Sequence, residues 1–371
     1  MTARCQPQEA EWLQPQPQEE MSMSLMRKAL CGVLGMVVAG LALAMPGQAG
    51  AQQAPVTLKK ADYTPLTNSR ARVSKWWAEE VEKRTGGKVK IEYFPAETLL
   101  KAADIFEGTR SGVADIGVWV QAYNPAVSPI SALFTLPGIS PTFRPAIRAV
   151  NELVYTGDFS HFRDELRKLG VEPIYSWGVA DQELISTKPL ASLAALKGLK
   201  VRVIGREWPK LVSAHGGTPV AMPWPEVYEA LSRGTLDANV GFVTANRDSK
   251  LYEVAKHHTR IRLGAPAGPL AIMNKQAWDR LPAEAQKAMR EVGREFTERL
   301  ADVYDKEVQE AVKEMEAKGV RFYEWSAEDR AKLQASMEGV WEAWAREAEA
   351  KGIPGREAMR RYVELQKKHS R

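Results

Sequence analysis

The stretch LKGLKVRVIG, Leu196 to Gly205, sets a guanidinium where chemistry is possible. Val201 and Val203 alternate with Lys200 and Arg202, the pattern of a short strand with one apolar face. Two readings of Arg202 stay open on this pattern alone. It can wet an exposed sheet face, as most arginines do. It can instead present its planar fork to an anion, pairing two N–H donors with two carboxylate oxygens. Other reactive groups are scarce. The chain has no HExxH, no P-loop, no GxGxxG and no GxSxG. Its five histidines include the neighbours His257 and His258, but adjacent residues on a strand or helix do not converge on one ion, and no carboxylate completes a site. Carboxylates are plentiful towards the C-terminus, where they alternate with Lys and Arg as on a solvated face. The sequence therefore leads us to expect no cofactor, no metal ion and no catalytic pair.

Elements that can position Arg202 are readable on both sides of it. Val56 to Ala61 is a strand; a helix follows, with Thr67 or Asn68 as N-cap, an apolar stripe of Val73, Trp76, Trp77 and Val81, and Gly86-Gly87 at its end. KVKIEYF is a second strand, Lys101 to Arg110 a helix, and ADIGVWV a nearly all-apolar third strand. This β-α-β-α-β order predicts a parallel sheet covered by helices, with ligands at the carboxyl ends of its strands. Those ends are Asp62 to Thr64, Pro95 to Thr98 and Trp119 to Asn124. A second α/β unit carries strands at Lys200–Ile204, Thr218–Met222 and Leu236–Val240, with helices near Trp208–His215 and Pro225–Arg233. GPLAIMN returns as an apolar strand. Pro282 to Lys318 is one long helical pattern of about 50 Å, stopped by Gly319.

The front of the chain reads as a targeting segment. Met26-Arg27-Lys28, an apolar run from Ala29 to Ala44 and the small residues Ala49-Gly50-Ala51 describe a cleavable secretory signal, too short for a comfortable bilayer span. Residues 1–51 are thus expected to be an N-terminal extension and signal peptide, and the mature protein to be periplasmic. The two cysteines, Cys5 and Cys31, both precede the cut, which leaves the mature chain without a thiol nucleophile, disulfide or cysteine zinc site. The net charge of +5 is scattered through mixed-sign helices and not gathered into a basic stripe, which argues against nucleic acid as a partner.

Two phrases carry a resemblance. LKGLKVRV, Leu196 to Val203, is followed by GGTPVAMPWPEVYEALSRGTLDA, Gly216 to Ala238. Together they resemble the DctP-like solute-binding subunits of TRAP (tripartite ATP-independent periplasmic) transporters. TRSGVADIGVW before them and MNKQAWDRLPAEAQKAM after them extend the likeness over the mature chain. The resemblance implies a two-domain α/β fold like that of periplasmic binding proteins. In it, hinge strands cross between domains, near Tyr175–Gly178 and Leu270–Asn274, and a long helix spans both. Domain I would be residues 54–176 with 271–315, and domain II 177–270 with 316–371. The implied activity is capture of a small organic carboxylate by hinge closure, and its delivery to separate membrane permease subunits touched only peripherally.

Residue by residue, the resemblance puts Arg202 on the ligand carboxylate and Trp224 against the ligand. Trp177 and Gln182 fall on or near the first crossover. Some branches carry a second arginine at the position of Gln182; its absence here points to monocarboxylates or neutral polar tails. Many members have Asn at what is Gly241 here, and the change leaves room beside Phe242. Tyr63, Thr64, Trp119, Gln121 and Tyr123 would line the opposing domain. The aromatics among these hint at an acid with an apolar or aromatic body. A ligand sensor or an enzyme on the same two-domain fold is the alternative; a nucleophile–base pair would favour the enzyme, and none is found.

Overall fold

A computed structural model describes residues 55–156 and 159–370; the signal-peptide reading falls on residues outside that set. Eleven described strands form two sheets. In the first, β1 (Val56–Ala61) pairs in parallel with β2 (Val89–Phe94) and β3 (Ile116–Trp119). The later strands β4 (Val171–Ser176) and β10 (Leu270–Asn274) complete it, β10 running antiparallel between β3 and β4. Its order is β2-β1-β3-β10-β4. The second sheet holds β5 (Glu183–Ser186), β6 (Lys200–Val203), β7 (Thr218–Ala221), β8 (Ala238–Gly241), β9 (His257–Arg260) and β11 (Arg321–Glu324), in the order β11-β9-β5-β8-β6-β7. The mixed α/β class with two sheets is as the sequence led us to expect.

Helices cover both sheets. In chain order they are α1 (Ser69–Arg84), α2 (Ile105–Arg110), α3 (Phe143–Asn151), α4 (His161–Lys168), α5 (Glu207–Ala214) and α6 (Val227–Ser232). Then come α7 (Val243–Asp248), α8 (Lys275–Asp279), α9 (Ala283–Ala317), α10 (Ala327–Glu349) and α11 (Gly355–His369), the last packing on α3. Asn68 caps α1, its side-chain oxygen accepting from the Arg70 and Ala71 amides. The long helix α9, about 52 Å at 1.5 Å per residue, buries Met289, Val292, Phe296 and Leu300 in the core of the first sheet. Further along it buries Ala311, Val312 and Met315 in a core under the second. Gly319 ends it at φ +82°, a conformation that favours glycine.

Two segments cross between the sheets, 177–182 outward and 261–269 back. They are tied to each other as an antiparallel pair. The Trp177 amide donates to the Pro269 carbonyl at 2.8 Å, Val179 to Pro266 at 3.1 Å and Gln182 to Gly264 at 2.8 Å. The return crossing thus lies just before the strand that the resemblance pointed to, because Leu270–Asn274 is already committed to the first sheet.

Candidate ligand-binding cleft

The carboxyl ends of β1, β6 and β8, the start of α1 and the crossing segments enclose one cleft of about 760 Å³, part of it open to solvent. Carboxyl ends of parallel strands are where such folds put ligands, because the chain turns away there and leaves a crevice.

Arg202 reaches the cleft from β6, which lies between the edge strand β7 and β8. Only 3 % of it is exposed. Its Nε donates to the Met222 carbonyl at 3.0 Å and its Nη1 to the Val240 carbonyl at 3.3 Å. Both acceptors are neutral backbone. Burial pulls the guanidinium down from its ordinary pKa, while the nearby Tyr123 hydroxyl favours the cation. Nη2 makes no hydrogen bond of ordinary geometry, the Tyr123 hydroxyl being the polar side-chain group that interacts with the guanidinium. A buried cation with an unused donor is costly unless an anion completes it. Of the two sequence readings of Arg202, the exposed sheet face is excluded.

Aromatic rings wall the cleft. Trp224 lies 5.6 Å from the Arg202 guanidinium and stacks on Phe242 at 6.1 Å. Its position is fixed at both ends: the backbone amide donates to the Tyr123 hydroxyl at 3.1 Å, and Nε1 to Ser249 Oγ at 3.0 Å. Tyr63 meets Tyr123 edge-on at 5.9 Å and lies 6.5 Å from Trp177. Trp177 and Trp208, both lining the cleft, have indole N–H groups without partners. Every unpartnered buried polar atom on the lining residues (Arg202 Nη2, Trp177 Nε1, Trp208 Nε1) is therefore a donor.

Nine of the eleven residues expected from the sequence line the cleft: Tyr63, Thr64, Tyr123, Trp177, Gln182, Arg202, Trp224, Gly241 and Phe242. Trp119 and Gln121 do not. Trp119 is fully buried behind the wall, packed 4.7 Å from Phe106, with its N–H on Asn124 Oδ1 at 3.0 Å. Gln121 turns its amide to the Gly268 carbonyl and braces the returning crossing segment. Val120 between them does line the cleft, so Trp119 and Gln121 fall on the opposite side of the extended chain, where successive side chains alternate. Gly241 lines the cleft without adding room to it. A Cβ there would lie 2.7 Å from Asn239 Nδ2, 2.9 Å from Asn246 Oδ1 and 3.2 Å from Trp224, so the missing side chain lets Trp224 close onto the floor.

Sequence reasoning missed Arg70. It stands in the first turn of α1, 3 % exposed, and lines the cleft. Its two terminal nitrogens grip Asp62, Nη1–Oδ2 at 2.8 Å and Nη2–Oδ1 at 2.7 Å. Its guanidinium lies over the Trp177 ring at 4.6 Å. A signal was available: Arg70 precedes Ser74, Trp77 and Val81 at helical spacing, so a charge occupies the buried stripe of an amphipathic helix. His257 and His258 point to opposite sides of β9, His257 towards Tyr323 and His258 towards Asn246. Among the described residues, no group of three or more His, Cys, Asp or Glu could hold a metal ion.

The family model for bacterial extracellular solute-binding proteins, family 7 (DctP), matches residues 62–347. The chain belongs to that family. This solute-binding protein is 25% identical over 338 residues to the C4-dicarboxylate-binding periplasmic protein DctP of Rhodobacter capsulatus, covering 89% of this chain and 97% of that one. It is 28% identical over 262 residues to the 2,3-diketo-L-gulonate-binding periplasmic protein YiaO of Escherichia coli, covering 68% and 75%. Among solved structures, a marine metagenome TRAP solute-binding protein specific for aromatic acid ligands, in complex with 3-hydroxybenzoate, superposes with a TM-score of 0.78. It is 27% identical, with 86% of this chain and all of that one covered. The two-domain fold of TRAP solute-binding proteins and the transport role of the family are thus those the sequence pointed to.

Proposed function

We propose that this protein captures a small organic carboxylate in the cleft, with the carboxylate on Arg202, and hands it to separate TRAP permease subunits in the membrane. The observation that carries the reading is the Arg202 guanidinium: buried, held on two neutral carbonyls, and left with an unused donor at a ring-walled cavity. A carboxylate supplies the missing charge and the missing acceptor together. Trp224, Phe242, Trp177 and Tyr63 suit an apolar or aromatic ligand body, which the relative holding 3-hydroxybenzoate supports. The closing bodies are residues 54–176 with 271–315 and 177–270 with 316–371, hinged on the paired crossing segments, with α11 at the end of the second body reaching onto α3 of the first. Export by the leader in residues 1–51 places the protein in the periplasm. It works by binding and release, without chemistry on the ligand.

A thermal-shift screen of residues 52–371 against aliphatic, keto and aromatic carboxylates tests this, with Arg202→Ala beside the wild type. An acid at a hundred times its dissociation constant adds about 2.7 kcal/mol to stability. The expected result is a shift in the wild type that the variant loses. An acid that stabilises both equally removes Arg202 from the site.

A further inference from the structure

The cleft holds two guanidinium groups, and they differ in what holds them. Arg202 rests on carbonyls. Arg70 is locked to a carboxylate that has no access to solvent: Asp62 is 0 % exposed at its side chain. Both Asp62 oxygens are fully used. Oδ1 accepts from Arg70, from the Thr64 amide at 3.0 Å and from the Thr64 hydroxyl at 2.9 Å. Oδ2 accepts from Arg70 and from the Tyr93 hydroxyl at 2.6 Å. This is a complete, rigid, buried ion pair, and its net charge is zero. No other Lys, Arg, Asp or Glu lines the cleft among the described residues. Lys60, behind Asp62, bonds to the Ser74 hydroxyl and does not line it.

Resting on the carboxylate reading above, we propose that the Asp62–Arg70 pair limits the cleft to one negative charge, so that the ligand is a monocarboxylate with a neutral hydrogen-bond acceptor at its far end. Arg202 is the single uncompensated cation, and the ligand carboxylate uses it. A second carboxylate near Arg70 would meet a guanidinium whose charge Asp62 already cancels, and would lose its hydration without gaining a counter-ion. A hydroxyl, keto or ring-carbonyl oxygen meets no such cost. A guanidinium has five N–H donors, and three of them serve Asp62 and Thr64. The remaining two can donate to a neutral oxygen, as can the unpartnered indole N–H groups of Trp177 and Trp208. The chain would then differ in the charge of its ligand from the relative named for C4-dicarboxylates.

The test is calorimetric titration at pH 8 with matched acids of similar size, hexanoate against adipate and 3-hydroxybenzoate against isophthalate. In the wild type, the monocarboxylate of the better-binding pair should win by roughly tenfold or more. Asp62→Asn frees the charge of Arg70 and should narrow that ratio by roughly tenfold. The double variant Asp62→Asn/Arg70→Gln returns the wall to zero charge and should restore the wild-type preference, which damage to the fold would not do. Equal or tighter dicarboxylate binding by the wild type overturns the proposal while leaving the carboxylate reading intact, as does a folded Asp62→Asn protein with an unchanged ratio. If Asp62→Asn does not fold, the wild-type ratio decides alone. Absence of Arg202-dependent binding across all four acids overturns the carboxylate reading and this proposal with it.

Discussion

At the scale of single residues, the cleft depends on charges buried in unequal company. Arg202 was legible because its neighbours, LKGLKVRV and PVAMPWPEVY, form a recognisable phrase and because a charge within a strand is conspicuous. Arg70 was not, because its partner Asp62 lies on another element and helix N-termini are rich in polar residues. Lys60 was hidden in the same way: it reads as the exposed half of an alternating strand, yet it is fully buried beneath Trp77 and Tyr93. Burial pulls its ammonium down from 10.5 to about 7, against the attraction of Asp62. Between those two values the unfolded chain holds a proton that the folded chain does not. Stability should therefore rise with pH across that window, by up to about 1.4 kcal/mol per unit. Lys60→Met should flatten the rise, read as urea midpoints from pH 7.5 to 10. Identical slopes in the two proteins would mean that Lys60 keeps its charge in the fold.

At the scale of elements, α1 and α7 meet across the cleft through charges. Asp248, at the end of α7, accepts from the backbone amide of Ser69 at 3.0 Å, the first residue of α1. A carboxylate there opposes the positive end of the helix. Glu307 of α9 joins the cluster, binding Arg72 of α1 at 2.9 Å and also Arg247 of α7. These bonds tie a helix of the first sheet to a helix of the second, so they belong to the conformation in which the cleft is narrow. Asp248→Ala should favour a wider cleft and weaken ligand binding about three- to tenfold, mostly through faster release in stopped-flow measurements. An unchanged release rate would show that the cluster does not bear on closure. Strong single-period segments such as α9 and β6 were readable from pattern. By contrast β9, whose HHTR looks like a loop, could not be read, since its polar side chains are buried on partners distant in sequence: Thr259 donates to the Leu190 carbonyl and His258 meets Asn246. Trp119 and Gln121 were expected in the cleft from their place at a strand end, but it is Val120 between them that faces it, and side-chain alternation turns the other two away.

At the scale of the whole molecule, the two sheets are joined by paired crossing segments and spanned by α9, an arrangement suited to hinge closure about a trapped ligand. Closure of this kind is driven by a ligand that touches both halves. Arg202 and Trp224 approach the cleft from the second sheet, while Tyr63, Thr64 and Arg70 approach from the first. The two walls already touch in places, through the Trp224 amide on Tyr123 and the Gly205 amide on the Ala122 carbonyl. On the reading proposed above, a carboxylate between them would complete the unused donor on Arg202 and seal the rings around the ligand body. The most direct measurement is a crystal structure with the acid that stabilises the protein most. We predict its carboxylate at about 2.7–3.0 Å from Arg202 Nη2, with the ligand body between Trp224 and Trp177. A carboxylate seated on Arg70 with Arg202 left unpaired, or an acid bound outside the cleft, would contradict it.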